Sequence, residues 1–369
     1  MKHHLSPRNK VLRSLVLIPA LLLFFFLPPL QAQEVVTDTT GAITITPEKE
    51  WDLFGREHLL RLTLIYDGKL YRKNLHAPEY QKALLRIQLE DGSWIEKPVK
   101  IKARGNFRRN YCSFPPFKLN IKKADFDNDY LDKTGAMKFV TQCKHSREFE
   151  TYLLKEYLIY KMYNVLTDYS FRARLVEMTY VDSSRKKHNT FTKYGFLIEP
   201  LKNLTKRLNA MYIKSGGVKQ LDMIPEDMAR VALFEYMIGN TDWSLPGQHN
   251  VKVIKLLNNR HPGAIPVPYD FDFTGLVNTT YALPAENSGL TSVRQRLYRG
   301  ICLPDSVTDK TANLFLDKKE AIENVIRDFR YLDEKHKKNM LYYLEKFFNT
   351  LEDKKVRQNL IFRDCLPDA

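Results

Sequence analysis

A chain of 369 residues is long enough for one large domain or for two lobes around a cleft, and its 44% apolar and 27% charged residues exclude a disordered polymer. Lys and Arg outnumber Asp and Glu by 58 to 43, a formal charge of +15 that favours anionic partners such as nucleotides, phosphorylated glycans, anionic lipids or nucleic acid. The four cysteines, 112, 143, 302 and 365, form no Cys-x-x-Cys pair, which argues against a zinc module.

Residues 1–33 read as a secretory signal segment. Lys2, Arg8, Lys10 and Arg13 make a basic start, Leu15 to Leu30 is apolar, and Ala32 or Gln33 offers a cleavage point before Glu34. Left uncleaved, this segment would be the chain's one membrane contact, although its apolar run falls short of the roughly 20 residues of a span. Cleavage removes those four cations and no acid, so the charge falls from +15 to +11. The expected location is therefore outside the cytoplasm, periplasmic or secreted. An oxidising compartment allows two disulfides in three connectivities. Cys112–Cys143 with Cys302–Cys365 is the preferred one, and buried free thiols are the alternative. Residues 34–46, polar and rich in Thr, read as a flexible leader.

From Leu59 the chain is strand-like. Leu59 to Tyr66 ends at the turn signal Asp67-Gly68; Ala83 to Leu89 alternates, turns at Asp91-Gly92, and returns from Ile95 to Ala103. The return strand sets Val99, Ile101 and Ala103 on one face and Lys100, Lys102 and Arg104 on the other. Phe117 to Lys122 is the next strand. Lys102, Arg104 and Lys118 or Lys122 thus flank the turn at Gly105, where charge and backbone N–H groups suit phosphate; a solvated basic face is the plainer alternative. Asp125, Asp127 and Asp129 resemble a calcium loop, but Tyr130 and Ala136 replace its required Gly and Glu, which excludes an EF-hand.

A helix is expected from about Ser146 to Leu166, with Leu154, Leu158, Met162 and Val165 as its apolar stripe and Glu156 exposed on another face. Strands follow over Arg174 to Val181 and Lys193 to Glu199. Pro225 opens a buried helix that stops at Gly239. After it, Asp242, His249, Asn250, Asp270 and Asp272 fall within about thirty residues, on two loops separated by the apolar strand Val251 to Leu257. Such a strand brings both loops to one end. Oxygen-only ligands there favour Mg²⁺ or Mn²⁺ and a phosphate. Arg294, Arg296 and Arg299 form a short basic segment that could reach an anion, and Thr308 to about Asp364 reads as two or three packing helices.

In this order the motifs resemble the spore-coat-protein-H (CotH) kinase family, secreted atypical relatives of protein kinases. The resemblance rests on Arg104-Gly105-Asn106, Lys118, Tyr194 to Glu199, Asn240-Thr241-Asp242 with His249-Asn250, and Pro268-Tyr269-Asp270-Phe271-Asp272, across about 170 residues. It departs from the family at Phe107-Arg108-Arg109, where small residues normally follow Arg-Gly-Asn, and in the length of the segment from Asp242 to Asn250.

The resemblance implies an α+β, two-lobed protein-kinase-like fold. An antiparallel β-rich lobe with one long helix (47–200) and a mostly helical lobe carrying the acidic loops (201–369) would flank a cleft. It also implies roles. Asp242 would take the acceptor's proton; Asn250, Asp270 and Asp272 would hold Mg²⁺ or Mn²⁺; and Lys118 would pair with ATP phosphates, oriented by Glu156. Lys102 and Arg104 would support it, and Ile198 and Glu199 would face the base. The implied activity is phosphoryl transfer from a nucleotide to a protein or glycan hydroxyl in the cell envelope. The alternative is a non-catalytic binding protein for a glycan or other partner. No recognition motif for specific nucleic-acid binding is present.

Overall fold

The computed structural model describes residues 53–367, apart from 90, 186–188, 215–216, 259–262 and 287. The expected signal segment and leader lie outside them. Among the described residues no helix is long and apolar enough to cross a membrane.

Seven strands form a closed barrel: β1 (Leu60–Tyr66), β2 (Gln81–Gln88), β3 (Trp94–Ala103), β4 (Phe117–Asn120), β5 (Ala136–Thr141), β6 (Ala173–Asp182) and β7 (Asn189–Ile198). Three short helices interrupt them, α1 (Gly68–Lys73), α2 (Phe107–Tyr111) and α3 (Asp129–Thr134), and the long α4 (Arg147–Leu166) precedes β6. The order round the barrel is β1-β2-β3-β4-β5-β7-β6, antiparallel throughout except where β1 pairs in parallel with β6, Leu60 opposite Val176. That one parallel seam overturns the expected two-lobed kinase-like fold with its antiparallel N-terminal sheet. A mixed, closed barrel forms, accompanied by a second, small sheet and helices.

Alternation explains the closure. Leu62, Leu64, Leu85, Ile101, Phe117, Leu119, Phe139, Met178 and Tyr180 point inward and are almost fully buried. A seven-stranded barrel is narrow enough for side chains to fill. Phe117 and Phe139 stack at 4.9 Å inside it. Gly195 on β7 leaves room for that stack, because a Cβ there would lie 2.3 Å from the Phe139 ring. At Asp67-Gly68 the chain enters α1 in place of the expected turn. Asp67 caps the helix by accepting from Leu70 N–H at 2.9 Å, and Gly68 N–H donates to Asp182 Oδ1 at 2.9 Å.

The rest of the chain runs through α5 (Leu201–Arg207), β8 (Ala210–Tyr212), α6 (Pro225–Ile238), β9 (Val251–Leu256), β10 (Ile265–Pro268), α7 (Asp305–Asp317), α8 (Lys319–Arg327) and α9 (Glu334–Glu352). Strands β10-β9-β8 make an antiparallel sheet of their own. Helix α4 packs on β6 and β7 and on α8. It is covered on nearly every side, so Lys155 and Glu156 are buried along with Leu154, Leu158 and Met162. The expectation that Glu156 is exposed is therefore wrong. Ser146 sits at the N-cap, although its side chain makes no capping bond. The disulfides are Cys112–Cys143 and Cys302–Cys365, the preferred connectivity.

Candidate functional site

The β9–β10 hairpin builds the site. Val251 pairs with Pro268, and Tyr269 N–H donates to Asn250 O at 2.9 Å, so Asn250 and Asp270 leave the sheet at the same end. Both adopt left-handed backbone angles, φ 53° and 69°. Asn and Asp tolerate that region best, but it still costs on the order of 1–3 kcal/mol, as residues at binding sites often do. Tyr160 on α4 fixes the second turn by accepting the Asp270 N–H at 2.9 Å.

Asp242 is held by a chain of polar contacts that starts inside α6. Asn240 Nδ2 donates to the buried Glu235 Oε2 at 2.8 Å, and Asn240 Oδ1 accepts Asp242 N–H at 2.9 Å. Asn250 Nδ2 donates to Asp242 O at 2.7 Å and to Oδ2 at 3.0 Å, and His249 Nε2 lies 2.9 Å from Asp242 Oδ1. The Asp242 side chain stays 40% exposed, as a group meeting an outside molecule must. Glu235 is pushed up to about 8 by burial foremost and by the Asp242 charge, against the Asn240 hydrogen bond and Arg299.

Beside this, Glu156, Asp270 and Asp272 each offer a carboxylate oxygen, all within 4.8 Å of one another. Arg108 on α2 joins two of them. Its Nη2 is 2.9 Å from Glu156 Oε2 and 2.7 Å from Asp272 Oδ2, and its Nε donates to Asp272 Oδ2 at 3.0 Å. Tyr281 Oη adds a third donor to that oxygen at 3.0 Å. Glu156 Oε1 is buried without a hydrogen-bond partner.

The three carboxylates differ in how their surroundings treat the anion. Burial pushes Glu156 up to about 8, with Arg108 opposing and Asp272 and Asp270 reinforcing. Asp272 is also raised, by burial first, despite Arg108. Asp270 is lowered: burial works against ionisation, but Arg104, Arg108, Lys138 and His249 outweigh it. Asp270 is thus the member whose surroundings favour the carboxylate most. The candidate ligands here are all oxygens, and the surroundings of Asp270 favour its carboxylate, which fits a hard divalent cation such as Mg²⁺ or Mn²⁺.

The lysines lie on the barrel wall. Register places Lys102 opposite Lys118 and Lys118 opposite Lys138, three like charges side by side on β3, β4 and β5. Such pairs destabilise a sheet unless an anion meets them. Lys118, Lys138 and Lys252 line a cavity of about 210 Å³, with Tyr269 against the lysines and Met137, Phe171, Ile198 and Leu201 among its apolar walls. Lys138 Nζ sits 4.1 Å from the Tyr269 ring centroid. It is lowered to about 7, chiefly by burial and then by Arg104, with Lys252 and Lys118 adding and Asp270 opposing. A larger depression, about 790 Å³, lies at the start of α6 and includes none of these lysines or clustered acids.

The chain matches no family model and no curated protein.

The sequence-derived candidates are therefore distributed as follows. Asp242 and Asn250 share hydrogen bonds, and Asp270, Asp272 and Glu156 share a cluster. Arg104 stands close enough to Asp270 to help keep it ionised. Lys118 and Ile198 line the cavity, as does Glu199, whose carboxylate is taken by Arg207 at 2.9 Å. Glu156 pairs with Arg108 and not with Lys118, so the expected orienting role is replaced. Lys102 donates to Pro78 O at 2.6 Å beside Tyr80. Arg294, Arg296 and Arg299 are spent on the carbonyls of Gly275, Met237, Tyr343 and Thr241. Sequence reasoning missed Arg108, Lys138 and Lys252. The Lys102–Lys118–Lys138 row was the available signal for Lys138, since Lys138 alternates with the buried Met137 and Phe139.

Proposed function

We propose that this site binds a nucleotide through a divalent cation and transfers its terminal phosphoryl group to a protein or glycan hydroxyl. The observation that carries the reading is one dipeptide, Tyr269-Asp270. Tyr269 walls the lysine cavity, and Asp270 belongs to the carboxylate cluster, so a polyanion and a cation would meet there. The five ordered motifs that resemble the CotH kinase family support the same reading, independently of the fold.

Each residue's part follows from charge and reach. Lys118, Lys138 and Lys252 would hold phosphate oxygens, and the apolar end near Ile198, Phe171 and Leu201 would take the base. Asp270 and the Asn250 side-chain oxygen would ligate Mg²⁺ or Mn²⁺, which when bound supplies charge neutralisation on the phosphates. Asp242, aligned by Asn250 and His249, would accept the proton of the attacking hydroxyl. The new O–P bond forms as the bond to the leaving diphosphate breaks, and the diphosphate departs with that electron pair.

Arg108 favours a second reading, in which the site binds a nucleotide or another polyanion without turnover, because a guanidinium already neutralises part of the cluster. Incubation with ATP labelled in the γ-phosphate separates the two. The first reading expects Mn²⁺- or Mg²⁺-dependent label on an envelope protein or glycan, lost in Asp242→Ala. Binding of ATP with no transferred label would leave the second reading in place, and no binding of any nucleotide would remove both.

A further inference from the structure

We propose that the Arg108 guanidinium is the resident cation of the Glu156–Asp272 pair, so that the site takes one divalent ion, at Asp270 and Asn250, and not two. This rests on the metal-dependent reading above and adds its stoichiometry. Phosphoryl-transfer sites that use two metals hold them about 3.5–4 Å apart between shared carboxylates. Here the carboxylate oxygens lie close enough for such an arrangement, within 4.8 Å, but a side chain holds two of the three groups.

Three observations make Arg108 a fixture. Asp272 Oδ2 already receives Arg108 Nε, Arg108 Nη2 and Tyr281 Oη, and Glu156 Oε2 receives Arg108 Nη2, so the planar fork bridges one oxygen of each carboxylate. The Arg108 side chain is only 12% exposed, and expelling it would strand a desolvated charge. Helix α2 is also anchored at both ends. Phe107 and Tyr111 stack at 4.8 Å and pack on Tyr281 at 5.4 and 5.3 Å; the next residue, Cys112, is tied to Cys143.

Asp270 presents the opposite case. It is half-buried in a left-handed turn that leaves the sheet at the same end as Asn250, and the Arg108 hydrogen bonds go to Glu156, Asp272 and Tyr281.

The test is a Mn²⁺ titration of the purified full chain, following free Mn²⁺ by electron paramagnetic resonance. The proposal expects one ion per chain in the wild type, and a Glu156→Gln variant whose Mn²⁺ Kd stays within about twofold. Arg108→Met should gain a second ion, which Glu156→Gln in the same chain removes. Two ions in the wild type, or an approximately tenfold loss of Mn²⁺ affinity in Glu156→Gln alone, would overturn it. No ion in the wild type would remove the metal reading instead; the Arg108 proposal then stands or falls on whether Arg108→Met acquires one. Should Arg108→Met not fold, Arg108→Lys keeps the charge without the fork and is expected to bind one ion; two ions there would count against the proposal.

Discussion

Glu235 offers the sharpest check on how the Asp242 loop is held. It is fully buried on α6, one oxygen accepts from Asn240, and the other has no hydrogen-bond partner. Its pKa rises from the model-peptide value of 4.5 to about 8, because burial disfavours the anion more than the Asn240 bond favours it. A folded pKa above the unfolded one means that the native state keeps a proton the unfolded chain has released. The stabilisation is complete below the unfolded pKa and is lost as pH rises through the folded value. Each pH unit in that window is worth about 1.4 kcal/mol, so the wild type should lose about 4 kcal/mol between about pH 5 and pH 8 through this group alone. Glu235→Gln keeps the shape and the acceptor for Asn240 but cannot ionise. Urea unfolding of both proteins across this range isolates the effect, since every other titrating group, including Glu156, cancels in the difference. The variant should gain on the wild type as pH rises, with the difference flattening above about pH 8. Parallel stability curves would refute the reasoning and imply that Glu235 is ionised in the native protein.

Gly239→Ala should destabilise by more than about 1–3 kcal/mol, because φ is +69° there and a Cβ would fall 2.2 Å from Tyr343 Oη. Adding Tyr343→Phe should recover only the steric part, as thermal unfolding would reveal. Replacing both Cys302 and Cys365 with Ser opens a crosslink spanning 63 residues and should lower unfolding free energy by about 4 kcal/mol, read from the denaturant midpoint. Lys138→Met should weaken inorganic triphosphate binding about tenfold in calorimetry, roughly 1.4 kcal/mol, while leaving the melting temperature the same or higher. The gain in stability is expected because the substitution relieves like charge across β4 and β5.

Local features were legible in the sequence wherever one period dominated. Val99, Ile101 and Ala103 alternate with charged neighbours, and β3 forms there with those residues inside. Pro225 and Gly239 mark the ends of α6, the latter as a left-handed cap. The hairpin between the acidic loops was legible too, because Val251 to Leu256 is an apolar run between turn residues. What failed is what local pattern does not encode. The parallel seam joins β1 to β6 across more than a hundred residues and leaves no mark at either strand, so the barrel's closure went unread. Glu156 was placed on a solvated face because a helix is usually polar on one side; α4 is covered by the barrel and by α8, and has almost no such side. Arg108 was noted only as a departure from a pattern, and its function as a partner of Glu156 and Asp272 depends on residues 48 and 164 positions away.

The central claim is that a cation at Asp270 couples the acidic turns to a polyphosphate on the lysine row. Differential scanning calorimetry with ATP, with and without Mn²⁺, tests it most directly. The account predicts stabilisation by ATP that requires the metal, about 2.7 kcal/mol at a hundredfold excess over Kd, and that disappears in Asp270→Ala. An equal gain in Asp270→Ala, or with no divalent ion present, would contradict it.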